Sequence, residues 1–306
     1  MKVNRRIPEA SALRQFFDEQ LGQLRRLLEA RQRDMLEQRE QARQLRQAVD
    51  SIVDGTDARM RAIGSYQKRL RGSARAMLDH IEALVADIPP ALETSPATFR
   101  DDPLVNTLFS GVDAIRCLFR QSQPVQRFFA SENTRHRHEV FALLFITRSE
   151  KTVFGAEMRG DMMVRGVRQT AVNFSDHQLV APAATELEVR SALKRILFDN
   201  VIRLLKGQLT GMRYARTEAE KTAAARDPRT NIDNPEVYLD MLVEQLSLPA
   251  RLIRLQDRML RVSKLGIMLP THASEASNQV QLFEVELEGM QSRVVTLVRC
   301  ARAEIQ

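Results

Sequence analysis

The sequence predicts a mostly α-helical (α+β) protein, with long coiled-coil helices at both ends and a small central antiparallel β-meander packed on helices. Three observations predict it. Apolar residues recur every seven positions near both ends of the chain. A run of consecutive apolar residues, Val140 to Ile146, interrupts the helical pattern. Aromatic residues make up only 5% of 306 residues, with no Trp, and Gly and Pro are sparse. Chains of that composition, rich in Ala, Leu, Glu, Gln and Arg, tend towards helix or coiled coil.

The first helix carries the clearest period. Stepping by seven from Leu21 reaches Leu28, Met35, Ala42, Val49, Thr56, Ile63, Leu70, Met77 and Leu84. A companion row, Phe17, Leu24, Arg31, Gln38, Leu45 and Ile52, runs three or four residues away, so the two rows fill the a and d positions of heptads. Asp54-Gly55 is a turn signal, yet the first row keeps its phase through it. One helix over 11–87 is therefore predicted, bent at Gly55 or folded back there as a hairpin. At the α-helical rise it would be about 115 Å long, too long to bury its stripe on one small body. The predicted interaction seam is Phe17, Leu21, Leu24, Leu28, Met35, Leu45 and Val49.

Ile88-Pro89-Pro90 ends that helix. Asp102-Pro103 reads as a helix cap and first turn, and Gln123-Pro124 repeats the device. Val140 to Ile146 is apolar at every position, as in a strand buried on both faces at the centre of its sheet. Ser149-Glu150-Lys151 is the expected turn to a second strand, Thr152 to Met158. Arg159-Gly160-Asp161 turns again into one or two strands over 162–174, and Leu179 to Ala181 adds a short one. A sheet this small needs a helix on its face. Thr185 and Glu188 supply the capping box that starts one.

Asn234-Pro235 caps a further helix, and Pro249 starts one running to about Lys264. Ser274 then caps a final helix whose heptads run Val280, Phe283, Leu287, Met290, Val294, Leu297 and Ala301. It is slightly acidic, so antiparallel pairing with the basic first helix is expected. Three regions follow: 1–90, the N-terminal coil; 100–225, an α+β head; and 232–306, the C-terminal helices, the last packing on the N-terminal coil.

Charge narrows the function. Residues 1–75 hold 17 Lys+Arg against 10 Asp+Glu, and the remaining residues hold 29 of each, so the whole net charge of +7 lies on the first segment. Arg25, Arg26, Arg33, Arg43, Arg46, Arg69 and Arg71 are the candidate anion-binding residues, able to follow a phosphate backbone along a rod. Interleaved Glu29, Asp34, Glu37 and Glu40 form intrahelical pairs, and no aromatic platform accompanies the arginines.

Chemistry has fewer footholds. No phosphate-cradling G-x-x-x-x-G-K-[ST] or G-x-G-x-x-G occurs. His136 and His138 could ligate a metal with Asp176 and His177, but they lie in a polar loop and lack a completing ligand set. Asn173 to His177 places Ser, Asp and His side by side, which a turn between strands explains as well as a reacting group does. Catalytic residues, cofactors and metals are therefore expected to be absent. An enzyme would need a polar pocket around Asp161, Asn173, Asp176 and His177. No apolar run reaches the roughly 18 residues of a membrane span, and the basic N-terminus leads into no apolar signal core. Cys117 and Cys300 suggest neither a disulfide framework nor a metal site, so a cytoplasmic location is expected. The expected function is a non-catalytic structural or adaptor protein that self-associates or docks protein partners through its long helices. The alternative is a nucleic-acid-associated protein, with an enzyme site at the sheet edge as the third reading.

Overall fold

The computed structural model describes the backbone of residues 31–32, 35–36, 38–159, 162–222, 234–263, 265–269 and 277–305, and the side chains of these except 157–159 and 215–222. Helix α1 is described over 38–56, and the described residues 31–32 and 35–36 before it are helical too. Its apolar positions Leu45, Ala48, Val49, Ile52 and Val53 are all buried, the 3.6-residue stripe of a helix lying on a core. Asp57 ends it by capping a 3-10 turn, Ala58–Ala62, and α2 follows at Tyr66–Ala86. Next come β1 (Leu92–Glu93) and four short helices: α3 (Thr98–Asp101), α4 (Pro103–Leu108), α5 (Val112–Gln121) and α6 (Gln123–Ala130). Asp102 caps α4 as its sequence implies, accepting from the backbone N–H groups of Leu104 and Val105 at 2.7 and 3.1 Å.

Two long strands follow, β2 (Glu139–Arg159) and β3 (Met162–Ala183), then the long helix α7 (Glu186–Thr222). The capping box forms: the Glu188 N–H donates to Thr185 Oγ1 at 3.3 Å, and Ala184 N–H donates to the Glu188 carboxylate at 3.0 Å. The chain ends with α8 (Pro235–Leu246), α9 (Pro249–Leu252), β4 (Ile253–Ser263), β5 (Ser277–Leu287), β6 (Arg293–Ala301) and α10 (Arg302–Ile305).

The strands make one curled sheet in the order β3-β2-β6-β5-β4, with β1 pairing in parallel on β6. The segment 265–269 stitches its two edges together. Ser263 and Val172 donate to the Ile267 and Gly266 carbonyls, and Met268 donates back to Thr170, each at 2.8 Å. Gly266 adopts φ +75° there, a left-handed conformation that glycine takes without steric cost.

Residues of β2 alternate between two cores. Val140, Ala142, Leu144 and Ile146 pack with Ile115, Phe119 and Val125 of the short helices. Leu143 points the other way, into a core made by α1, α2, α7 and α8. The apolar run from Val140 is thus central and covered on both faces, as predicted. Arg190 of α7 fastens the second helical layer, donating to the carbonyls of Val85, Ile88 and Pro89 at 2.8–2.9 Å.

Several predicted elements are corrected. The continuous helix over 11–87 is broken, since α1 ends at residue 56 and α2 begins at Tyr66. The heptad phase survives because both helices face one core and the interval from Val49 to Leu70 is a multiple of seven. Gly55 is no hinge. A Cβ there would come within 2.3 Å of Ile202 Cγ2 on α7, so the glycine lets two helices touch. Residues 11–30 lie outside the described residues. The C-terminal coiled-coil helix is instead β5 and β6, joined by a turn with Gly289 at φ +71°. A strand covered on both faces is apolar at most positions, so a seven-residue step finds apolar residues there too; the β-branched Val280, Val285, Val294, Val295 and Val298 decide for strand. The helix predicted from Pro249 stops after Leu252, and the chain continues as β4. The small meander is likewise part of a larger sheet: Ser149 to Lys151 lies inside β2, and 162–183 is one strand.

Asp57 joins three elements. It accepts from Arg59 at 3.1 Å through both backbone N–H and Nε, and Arg213 of α7 pairs with it. Burial pushes its carboxyl up, but the Arg59 hydrogen bonds and the Arg213 charge outweigh that and hold it below the usual carboxylate range. A carboxyl lowered in the folded state stabilises above its unfolded value, about 3.9, and that stabilisation is lost as pH falls through the lowered folded value. Asp57→Asn should therefore flatten the acid loss of stability below about pH 5, read by urea melts. Parallel pH profiles for the two proteins would refute this role.

Candidate functional site

Strand β6 covers β2 only from Glu139 to Ile146. Among the described residues, β2 beyond Thr147 pairs with β3 alone. The result is a two-stranded ribbon, 147–159 against 162–174, about 44 Å long at the strand rise. Arg168 lies directly opposite Phe154, and Arg165 opposite Ala156, so these four share a face. A register shift at Gly155/Ala156 and Gly166 at φ +74° form a bulge, which sharpens the ribbon's twist. The Gln169 side chain lies across Gly155, the flexible amide Oε1 2.1 Å from where a Cβ would stand.

The ribbon's surface is unusual. Phe154, Met162 and Met163 are 73, 72 and 63% exposed. Met163, paired with Met158, shares the face of Phe154, Arg165 and Arg168, whereas Met162 and Lys151 belong to the other face. Lys151, Arg165 and Arg168 are exposed, and none has an ion-pair partner among the described residues. Single exposed apolar side chains are ordinary, but clustered ones mark contact sites.

A free two-stranded ribbon is marginally stable, and this one is braced at its root. Arg148, the second ribbon residue of β2, pairs with Glu284 of β5, whose side chain is only 1% exposed. Arg258 of β4 reaches the other Glu284 oxygen at 3.2 Å, and Glu150 also pairs with Arg148. The Glu284 hydrogen bond raises Arg148 above the ordinary guanidinium value despite burial, which acts in the opposite direction. Next to this triad, Arg254 holds Glu286 through two bonds at 2.9 and 3.1 Å. On β3 the brace is the 265–269 stitch. At the sheet end of the ribbon Arg293 pairs with Asp176 at 2.8 Å. Asp176 adopts φ +54°, a conformation Asp tolerates better than most residues.

The seam residues fall elsewhere. Leu45 and Val49 are buried in the core between α1 and its neighbours, whereas Met35 is 49% exposed. Phe17, Leu21, Leu24 and Leu28 lie outside the described residues, as do Arg25, Arg26 and Arg33. Arg43, Arg46 and Arg71 are exposed, and Arg69 pairs with Asp240 of α8. Nothing in the sequence pattern distinguishes Phe154, Met162 and Met163 from core residues of a strand, so the ribbon's exposure was hidden there.

The sheet-edge residues do different jobs. Asn173 lines a cavity of about 370 Å³ together with Asn106, Asn278, Phe109 and Phe174. His177 is turned away to the Leu108 carbonyl, Nε2 to oxygen 2.7 Å, and stacks on Phe109. Asp161 lies outside the described residues. His136 and His138 sit in an exposed turn, and among the described residues no group of three or more His, Cys, Asp or Glu could hold a metal. Cys117 is exposed; Cys300 is buried, its thiol pushed up to about 12 by that burial and then by Glu304 and Glu93. Among the described residues no helix is long and apolar enough to cross a membrane.

No protein-family model matches this chain, and no curated protein or solved structure matches it.

Proposed function

We propose that this chain is a non-catalytic adaptor that docks a partner protein through the ribbon of 147–159 and 162–174. One observation carries the reading: a ribbon braced at its root presents Phe154 and Met163 to solvent on the same face as the exposed Arg165 and Arg168. Aromatic, Met and Arg side chains are the types enriched where proteins meet. The partner it fits has an apolar cleft bordered by carboxylates. The described heptad positions Leu45, Val49, Leu70 and Met77 are covered by the chain itself, so the docking role expected of the helices passes to the ribbon. Two unpaired cysteines suit a cytoplasmic location.

A photocrosslinking phenylalanine analogue in place of Phe154 tests this in cells. A discrete protein adduct is expected, missing when the analogue replaces Leu187, which is 75% exposed on the first turn of α7 and not on the ribbon. Adducts to nucleic acid alone, or none, would end the reading.

A second reading has one observation in its favour. Arg39, Arg43 and Arg46 are exposed along α1 at helical spacing, a row that a phosphate backbone could follow. Its sign would be duplex DNA binding that weakens steeply with salt.

A further inference from the structure

Thirteen large apolar side chains are strongly exposed among the described residues. Three lie on the ribbon. Five more, Leu187, Met212, Tyr214, Val237 and Leu248, lie on or beside α7 and α8, with Leu187 on the first turn of α7 and Met212 and Tyr214 in its C-terminal part. Between those helices is a shallow groove of about 430 Å³ lined by Gln208, Gly211, Met212, Met241 and Gln245. A Cβ at Gly211 would meet nothing within 4 Å, so the floor of the groove is open space.

The groove has a charged border. Glu236, Asp240 and Glu244 are exposed along α8 at four-residue spacing, forming one ridge. Asp240 pairs with Arg69. Glu236 and Glu244 have no ion-pair partner among the described residues. Val237 and Met241 lie next to that ridge, so the surface reads as an apolar strip with an acidic edge. The ribbon is its counterpart, an apolar end with a basic edge.

We infer that the ribbon's partner is a second copy of this chain, and that Phe154 and Met163 seat in the α7/α8 groove while Arg165 and Arg168 face Glu236 and Glu244. This rests on the reading of the ribbon as a docking element and adds its receptor. Ribbon and groove are different surfaces, so two copies close into a dimer when each supplies a ribbon to the other, and other arrangements form larger rings or open filaments. Opposed charges set which way the ribbon lies, and the apolar seat supplies most of the affinity.

The test is mass in solution, by light scattering at tens of micromolar, with the purified full chain. The wild-type protein is expected at twice 34.9 kDa or more. Arg165→Glu/Arg168→Glu and Glu236→Arg/Glu244→Arg should each associate at least about tenfold more weakly, and an equimolar mixture of the two should regain association. Gly211→Tyr fills the groove at an open, exposed helical position where glycine gives no packing advantage, so it should leave folding intact and abolish assembly. A monomeric wild-type protein, or assembly unmoved by the charge reversals and by Gly211→Tyr, overturns the inference. A monomer whose residue 154 still crosslinks to a different protein overturns the self-docking alone and leaves the adaptor reading in place.

Discussion

Glu284→Ala is expected to cost about 3–5 kcal/mol of folding stability, the range for removing one partner of a buried ion pair. The carboxylate is 1% exposed and the Arg148 side chain 12%, so water cannot replace the lost partner. Arg148 would keep only Glu150, which is itself 44% exposed. Arg258, 45% exposed, can turn outward. The loss therefore falls on Arg148. Glu284→Gln keeps the shape and one acceptor and should cost less. The double variant Arg148→Met/Glu284→Leu should recover much of the loss, because an apolar pair of similar volume carries no desolvation penalty. Urea melts of the singles and the double give the coupling directly. Hydrogen exchange separates the two roles of the triad: in Glu284→Ala it should rise more at 148–173 than in α2. An additive double variant, or uniform exchange, would show that Arg148 does not anchor the ribbon.

Gly55→Val is expected to cost about 3 kcal/mol, the upper part of the range for overpacking a core contact. In an open helix the same position would behave oppositely, since glycine is about 1 kcal/mol worse than alanine there. The sign of Gly55→Ala therefore reports which situation holds. With Ile202 Cγ2 2.3 Å from the built Cβ, the α1–α7 contact must open before any side chain fits, and Ala should already destabilise. Ile202→Ala makes room. Its combination with Gly55→Ala should lose clearly less than the sum of the two single losses. Stabilisation by Gly55→Ala would mean that α1 is not seated on α7.

Local chemistry was the legible part of the sequence. Asp102-Pro103, Asn234-Pro235 and the Thr185–Glu188 box all cap helices, because a cap is decided by three or four neighbouring residues. The run from Val140 to Ile146 announced a doubly covered strand. The final strands were not legible because burial on two faces removes the alternation that identifies a strand, and residues 280–301 then match a helical step equally well. The ribbon was hidden for a related reason. Whether Phe154 faces a core or water depends on where β6 stops covering β2, and β6 lies more than a hundred residues later in the chain. Glu284 illustrates the same limit. One carboxylate among the charges of the last segment gives no sign that Arg148 and Arg258 will enclose it.

The placement of β6 sets an order of events. β5 meets it at only two residue pairs, Glu284 with Val294 and Val285 with Arg293, while β2 and β1 take the rest of its length. It is therefore the keystone between a β2–β3 half and a β4–β5 half, and it is synthesised after both. Until residues 293–301 leave the ribosome, the edge of β2 from Glu139 to Ile146 stays open to any passing strand. A nascent chain in which β6 has not yet emerged should accordingly depend on chaperones, because most of its sheet already exists while, among the described residues, its two halves are joined within the sheet only through the 265–269 stitch.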